Sequence, residues 1–195
     1  HGRVARKKPW ISRVNQRKRL EFAKNHINCD ENFWKTVIFS DEKKFNLFSS
    51  DGRKNVWRQP RTEFKRDNLR PTVKHGGGSV MVWGCMSASG VGNLVFVNET
   101  MNKHVYLNIL KNNLQESAQK LGLGSFYRFQ QDNDPKHTAY IVKMWLLFNT
   151  PKRLETPPQS PDINPIENLA WEVQKNVQER HPTSITQLKV VIKEE

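Results

Sequence analysis

The chain has 195 residues, 32 of them Lys or Arg against 19 Asp or Glu, for a formal charge of +13; 36% are hydrophobic and 10% aromatic. That apolar content supports a proper core and excludes wholesale disorder. The longest apolar run, around Val80–Met86, is far below the roughly 20 residues of a membrane span, and two distant cysteines, Cys29 and Cys85, argue against a disulfide framework or a thiolate zinc site.

Taken in chain order, residues 1–11 hold Gly2 and Pro9 among cations and read as an extended basic arm. Residues 12–27 place Val14, Leu20, Ala23 and Ile27 at helical spacing, which predicts a basic linker helix. Residues 1–27 are therefore set apart from a main domain over 28–195. Val37-Ile38-Phe39 reads as a strand buried on both faces, continuing past Ser40-Asp41 towards Leu47. Residues 48–78 form a long basic insertion broken by Gly52, Pro60 and Pro71, in which only Val56-Trp57 suggests a pairing segment.

Strands are predicted over Ser79–Met86 and Leu94–Val97 with a turn at Gly90–Gly92, then a helix over Met101–Leu121 ended by Gly122. Phe126–Gln131 is another strand, stopped by Asp132-Asn133-Asp134-Pro135; Thr138–Phe148 is an apolar helix and Arg153–Thr156 a short strand. Asn164-Pro165-Ile166-Glu167 opens a helix running to about Arg180, and Lys193-Glu194-Glu195 reads as part of a further helix. A meander followed by alternating strands and helices predicts an α/β fold, a mixed sheet with helices packed on it.

The charge is unevenly spread. Residues 1–20 hold eight basic residues and no acid, residues 52–75 hold eight against Glu63 and Asp67, and the remainder is nearly neutral. Clustering of this kind suits a polyanion, because each cation that neutralises a phosphate releases a condensed counterion. A solubilising tail and loop, or attraction to a membrane surface, are the plainer alternatives.

Three acids follow or flank the apolar elements. Asp41 comes directly after Val37–Phe39, Asp132 follows the strand that ends near Gln131, and Glu167 sits one turn into a helix. If the two strands are neighbours, these carboxylates converge, and a cluster of like charge calls for cations. Two Mg²⁺ ions, about 3.5–4 Å apart, would relieve the repulsion and activate an oxygen nucleophile for attack on phosphorus. Each acid also has a local explanation: Asp41 a solvated strand residue beside Glu42, Asp132 an Asx-turn, and Glu167 the third residue of a capping box opened by Asn164. Spacing alone does not choose between these.

The longer strings around the acids do. Ser40-Asp41-Glu42, the segment 131–138 (QDNDPKHT) and the segment 159–169 (QSPDINPIENL) resemble the catalytic motifs of Tc1/mariner transposases, as do Lys74-His75-Gly76-Gly77-Gly78-Ser79, Val82-Trp83-Gly84-Cys85 and the opening Gly2–Pro9 string. The matches stand in the family's order and span nearly the whole chain. Thirty-four residues separate Asp132 from Glu167, the spacing of the Tc1-like (DD34E) branch.

The resemblance implies an RNase H-like fold with a five-stranded mixed sheet, helices on both faces and a clamp-loop insertion at about 48–78. It implies a DDE transposase domain with Asp41, Asp132 and Glu167 as catalytic metal ligands for two Mg²⁺, replaceable by Mn²⁺. The same site would hydrolyse DNA at transposon ends and direct the freed 3′-hydroxyl into target DNA at TA steps. DNA and a second copy of the chain are the implied partners, with no membrane. Candidate DNA contacts are Arg3, Arg6, Lys7, Lys8, Arg13 and Arg17 in the arm and helix, Lys54, Arg58, Arg61, Lys65, Arg66 and Lys74 in the insertion, and the strip His75, Gly76, Gly77 and Gly78. Glycines there would let a DNA backbone approach the main chain.

The opening basic string also fits a nuclear import signal, which makes the nucleus the expected location. In the family a helix-turn-helix region precedes the catalytic domain, so recognition of inverted repeats is not expected from these residues. One departure concerns the string after Glu167, where Ala170 precedes Trp171; the family has Trp one position earlier, a rotation of ~100° on a helix. His137, five residues past Asp132, is either a local helix-start residue or a neighbour of the site. A DNA-binding remnant without activity, and a nuclease for RNA–DNA hybrids, are the other functional readings.

Overall fold

The structure, a computed structural model, describes residues 10–47, 56–69 and 77–195. Ser12 caps the first helix, α1 (Arg13–His26), its hydroxyl accepting from the Asn15 amide, and Asp30 caps the short α2 (Glu31–Lys35) in the same way. The first strand, β1 (Val37–Asn46), runs antiparallel to β2 (Ser79–Ser87), which pairs antiparallel with β3 (Gly90–Val97). After the long helix α3 (Lys103–Lys120), capped by Asn102, come β4 (Arg128–Gln130), α4 (Tyr140–Asn149) and β5 (Lys152–Arg153). The chain ends in α5 (Ile166–Glu179) and α6 (Ile185–Glu194). β4 lies parallel to β1, and β5 parallel to β4, which gives one five-stranded mixed sheet in the order β3-β2-β1-β4-β5.

Side chains alternate across the pleat, so β1 and β2 each feed a core on both faces. Ile38, Trp83, Cys85 and Phe129 pack under α3 and α4, with Tyr106, Leu110 and Leu114 from α3 and Val142 and Leu146 from α4. On the opposite face Phe45, Val80 and Val82 meet Val177 of α5 and Leu188, Val191 and Ile192 of α6. Val37 and Phe39 share that face with Leu154 and Ile166, and Phe22, Phe33 and Trp34 close the same cluster from α1 and α2. The sheet is thus covered on both faces, the RNase H-like arrangement that the resemblance implies.

Several local expectations shift. Val14 and Leu20 on α1 and Ile27 just past its end are exposed, and Phe22 is the apolar residue that packs; the helix is held by Phe22, by His26 against Phe33 and Trp34, and by the bonds of Arg19 to Ser160 and Asp162, rather than by an apolar stripe. Val56 and Trp57 belong to no strand and are exposed. The hairpin turns at Ala88-Ser89, with Ser87 opposite Gly90, so Gly90–Gly92 lies inside β3. Gly92 is needed there for space: a Cβ would sit 2.5 Å from Cys85 Sγ and 2.9 Å from Ser117 Cβ. β5 is two residues long rather than four. Tyr106 of α3 is wholly buried.

Candidate active site

Asp41 and Glu42 are consecutive on β1 and therefore face opposite sides of the sheet. Asp41 is in register with Gly84 and shares its face with Phe39 and Phe45, below α5; Glu42 is opposite Trp83 and shares its face with Ile38, below α3. This parity decides which partners each carboxylate meets.

Below α5, Asp41 is paired with Glu167. Burial pushes the Asp41 carboxyl up to about 7; the Glu42 amide bonds it and pulls the other way, while the negative charges of Glu167 and Glu42 and a hydrogen-bond contact with Glu167 add to the rise. The start of α5 is fixed by Asn164, a buried residue whose Oδ1 accepts from the Ile166 amide at 3.4 Å while its Nδ2 donates to the Ser40 carbonyl at 3.3 Å. Ser40 Oγ in turn donates to the Gln130 carbonyl at 2.9 Å. Ser40 therefore joins β1, β4 and the approach to α5, the three elements that carry or lead to Asp41, Asp132 and Glu167. The expected capping box is not made: Pro165 stands at the N-cap with no side-chain cap bond, Asn164 only accepts from the Ile166 amide ahead of the helix, and Glu167 lies against Asp41.

Asp132 emerges two residues beyond β4, the parallel neighbour of β1. Its Oδ1 accepts from the Asp134 amide at 3.0 Å, the Asx-turn that stops the strand, and also meets His137 Nδ1. The other ring nitrogen of His137, Nε2, lies 3.0 Å from Glu42 Oε1. Lys136 Nζ completes the group, 3.3 Å from Glu42 and 2.9 Å from Asp134. Burial works to lower the His137 pKa, but its bonds to Asp132 and Glu42 outweigh it and raise the value to about 9. Burial likewise tends to raise Asp132, yet the His137 and Asp134 bonds hold it below the usual carboxylate range.

The fold thus brings Asp41 and Glu167 into contact and commits Asp132 to a second network with His137 and Glu42. Among the described residues no group of three or more His, Cys, Asp or Glu side chains is gathered as a ready-made metal cage. The Asp41–Glu167 pair nonetheless fits a divalent cation: two hard oxygen donors, one half-buried and driven to keep its proton first by loss of solvent and then by its acidic neighbours, suit Mg²⁺ or Mn²⁺.

Of the candidate DNA contacts, Arg13 and Arg17 are exposed on α1, and Arg58, Arg61, Lys65 and Arg66 are exposed in the segment 56–69, where Arg58 pairs with Glu63 at 2.9 Å. Gly77 and Gly78 adopt φ of 66° and 102°. At Gly78 a Cβ would also sit 2.9 Å from Ile185 Cδ1, and its carbonyl accepts from the Leu47 amide, so the fold itself requires glycine there. Arg3, Arg6, Lys7, Lys8, Lys54, Lys74, His75 and Gly76 lie outside the described residues. No described helix is long and apolar enough to cross a membrane. Sequence reasoning passed over Glu42, Ser40 and the amide of Asn164; the strand parity of Glu42 was the one signal that set it apart from Asp41.

No family model matches the chain. The chain is 45% identical over 172 residues to the transposase of the transposable element Tcb1 of Caenorhabditis briggsae, covering 88% of this chain and 62% of that protein. Over 173 residues it is 45% identical to the Tc1 transposase of Caenorhabditis elegans, with the same two shares. It spans about three fifths of the length of these relatives. Among solved structures, a Mos1 mariner paired-end complex with manganese superimposes with a TM-score of 0.77 at 20% identity, covering 100% of this chain and 59% of that one; that likeness concerns the fold.

Proposed function

We propose that this chain, a homologue of the Tc1/mariner transposases, is the catalytic domain of a cut-and-paste DNA transposase of the Tc1-like branch. The observation that carries the reading is the meeting of Asp41, from the central strand, with Glu167, from a helix 126 positions later, beside a parallel strand that delivers Asp132. The 34-residue interval between Asp132 and Glu167 supports the branch.

Asp41, Asp132 and Glu167 would hold two divalent cations. Bound there, Mg²⁺ or Mn²⁺ supplies Lewis-acid activation of an attacking oxygen and charge relief at the leaving oxygen of a phosphodiester. The chain's own residues do the rest. Ser40 and Asn164 hold β1, β4 and α5 in register. Asp41, held protonated to about 7, would have to release that proton to hold a cation. The exposed cations of α1 and of 56–69 neutralise DNA phosphates without reading sequence. Cleavage at transposon ends, transfer of the 3′-hydroxyl to TA target steps, action as a homodimer and a nuclear location complete the proposal.

The test is Mn²⁺-dependent nicking of plasmid DNA by the purified chain. Asp41→Ala, Asp132→Ala and Glu167→Ala are expected to reduce nicking to the no-protein background while DNA retardation in a gel stays at the unsubstituted level. Undiminished nicking by Asp132→Ala would overturn the assignment.

A further inference from the structure

Resting on that reading, we propose that His137 is the positioning residue for Asp132, and that Glu42 is its anchor: a strut runs from β1 through the imidazole to the catalytic carboxylate. The geometry has three parts. First, the Asp132 side chain is 56% exposed whereas that of His137 is 2% exposed and that of Glu42 10%, so the mobile group is tied to an immobile one. A solvent-facing aspartate at the end of a two-rotor side chain samples several rotamers. A bond from a buried ring selects one.

Second, the ring itself has nowhere to turn. Nδ1 is committed to Asp132 and Nε2 to Glu42. One face lies on Tyr106, with centroids 4.0 Å apart and planes at 34°. Tyr106 is wholly buried and donates through its hydroxyl to Gln131 Oε1 at 2.8 Å, and Gln131 Nε2 donates to the His137 carbonyl at 3.0 Å. The loop that carries His137 is therefore pinned to the same tyrosine that supports its ring.

Third, the other end of the strut is a strand, not a loop. Glu42 is adjacent to Asp41 in β1, and Lys136 Nζ balances its charge at 3.3 Å. A shift of β1 moves Asp41 directly and Asp132 through Glu42 and His137, so the two carboxylates keep their spacing across a gap that no direct contact between them spans. Among the described residues both bonds to Asp132 use Oδ1, and Oδ2 is the oxygen it would turn to a cation. Groups that orient metal-binding side chains in this way typically contribute 10–100-fold in affinity or activity.

The experiment compares amide replacements that imitate one ring nitrogen at a time, with Mn²⁺ binding followed by the electron paramagnetic resonance of free Mn²⁺ in the absence of DNA. Asparagine places its amide near the position of Nδ1, glutamine near that of Nε2. His137→Ala and His137→Gln are expected to weaken Mn²⁺ binding, and nicking in parallel, by about 10–100-fold. His137→Asn is expected to recover most of both, with Asn and Gln melting at similar temperatures. Glu42→Ala is expected to lie between, and Glu42→Gln, which keeps an acceptor, near the unsubstituted protein. Equal Mn²⁺ affinity in all His137 variants, or equal loss in Asn and Gln that follows their melting temperatures, overturns the strut and leaves the proposed function standing. Failure of the unsubstituted protein to bind Mn²⁺ or nick DNA overturns both.

Discussion

The two faces of β1 each hold a pair of carboxylates and treat them in opposite ways. Below α3, Glu42 and Asp132 are bridged by His137 and flanked by Lys136, and the result is an imidazole pushed up to about 9 and an aspartate held low. Below α5, Asp41 is acted on chiefly by burial and by acidic neighbours, with one backbone amide as the main offset, and it rises to about 7. One side supplies its own counter-charge and gains rigidity from it. The other side defers that charge to something that binds. The same sheet register that separates Asp41 from Glu42 separates a site for an incoming cation from the scaffold that steadies it.

The largest effect expected from this contrast is on pH dependence. Asp41 keeps its proton to about 7, against 3.8 for an ordinary aspartate. Its folded pKa is thus raised, so the stability it contributes is fully present below about pH 4 and is lost as pH climbs through about 7. His137 is also raised, from 6.5 to about 9, and its contribution is lost between those values. Urea titrations are expected to show stability falling in two stages, and Asp41→Asn is expected to remove the lower one. Mn²⁺ binding runs the other way: below pH 7 a proton must be displaced, so apparent affinity is expected to fall about tenfold per pH unit. A pH-independent affinity between 5 and 7 would break the comparison at its root.

A smaller effect is expected at Asn164. Removing its amide by Asn164→Ala leaves the Ser40 carbonyl and the Ile166 amide without their side-chain partner, at a combined cost of about 2–4 kcal/mol. Asn164→Asp keeps the acceptor for the Ile166 amide but loses the donor to Ser40. It is expected to recover the Ile166 share of stability in a thermal melt while Mn²⁺ affinity stays low, because the register between Glu167 and Asp41 depends on the donor.

Much of this architecture was legible beforehand. Val37-Ile38-Phe39 could only be a doubly buried strand, and Asn102 and Gly122 bracket α3 as capping chemistry requires. The strings around the three acids pointed to the family and to the acids themselves. The pairing within the site was not legible, for a physical reason. Which of Asp41, Glu42, Asp132 and Glu167 meet depends on pleat parity and on where β4 stops, and Asp132 carries out its local Asx-turn and its bond to His137 with the same oxygen. A local motif and a long-range contact were offered as alternatives, and the residue does both. Val56-Trp57 failed because β-branched and aromatic residues suit a pleated, half-buried surface, whereas both are exposed and outside the sheet.

The smallest expected effect lies farthest from both faces. Arg19 on α1 reaches the segment that leads into α5: Nη1 donates to Ser160 Oγ at 2.6 Å and Asp162 Oδ1 at 2.9 Å, and Nη2 donates to Asp162 Oδ2 at 2.5 Å. The fork is well formed, but Asp162 is 62% exposed, so solvent screening limits the pair to about 1 kcal/mol. Arg19→Ala is expected to cost that amount in a chemical melt and to leave Mn²⁺ affinity unchanged, since the Ser40–Asn164 bond fixes α5 downstream of the latch. Arg19→Lys, which loses the fork, is expected to fall between. A drop in Mn²⁺ affinity as large as that of Asn164→Ala would mean that the linker helix, rather than the sheet, sets the position of Glu167, and the division of labour between the two faces of β1 would have to be redrawn around α1.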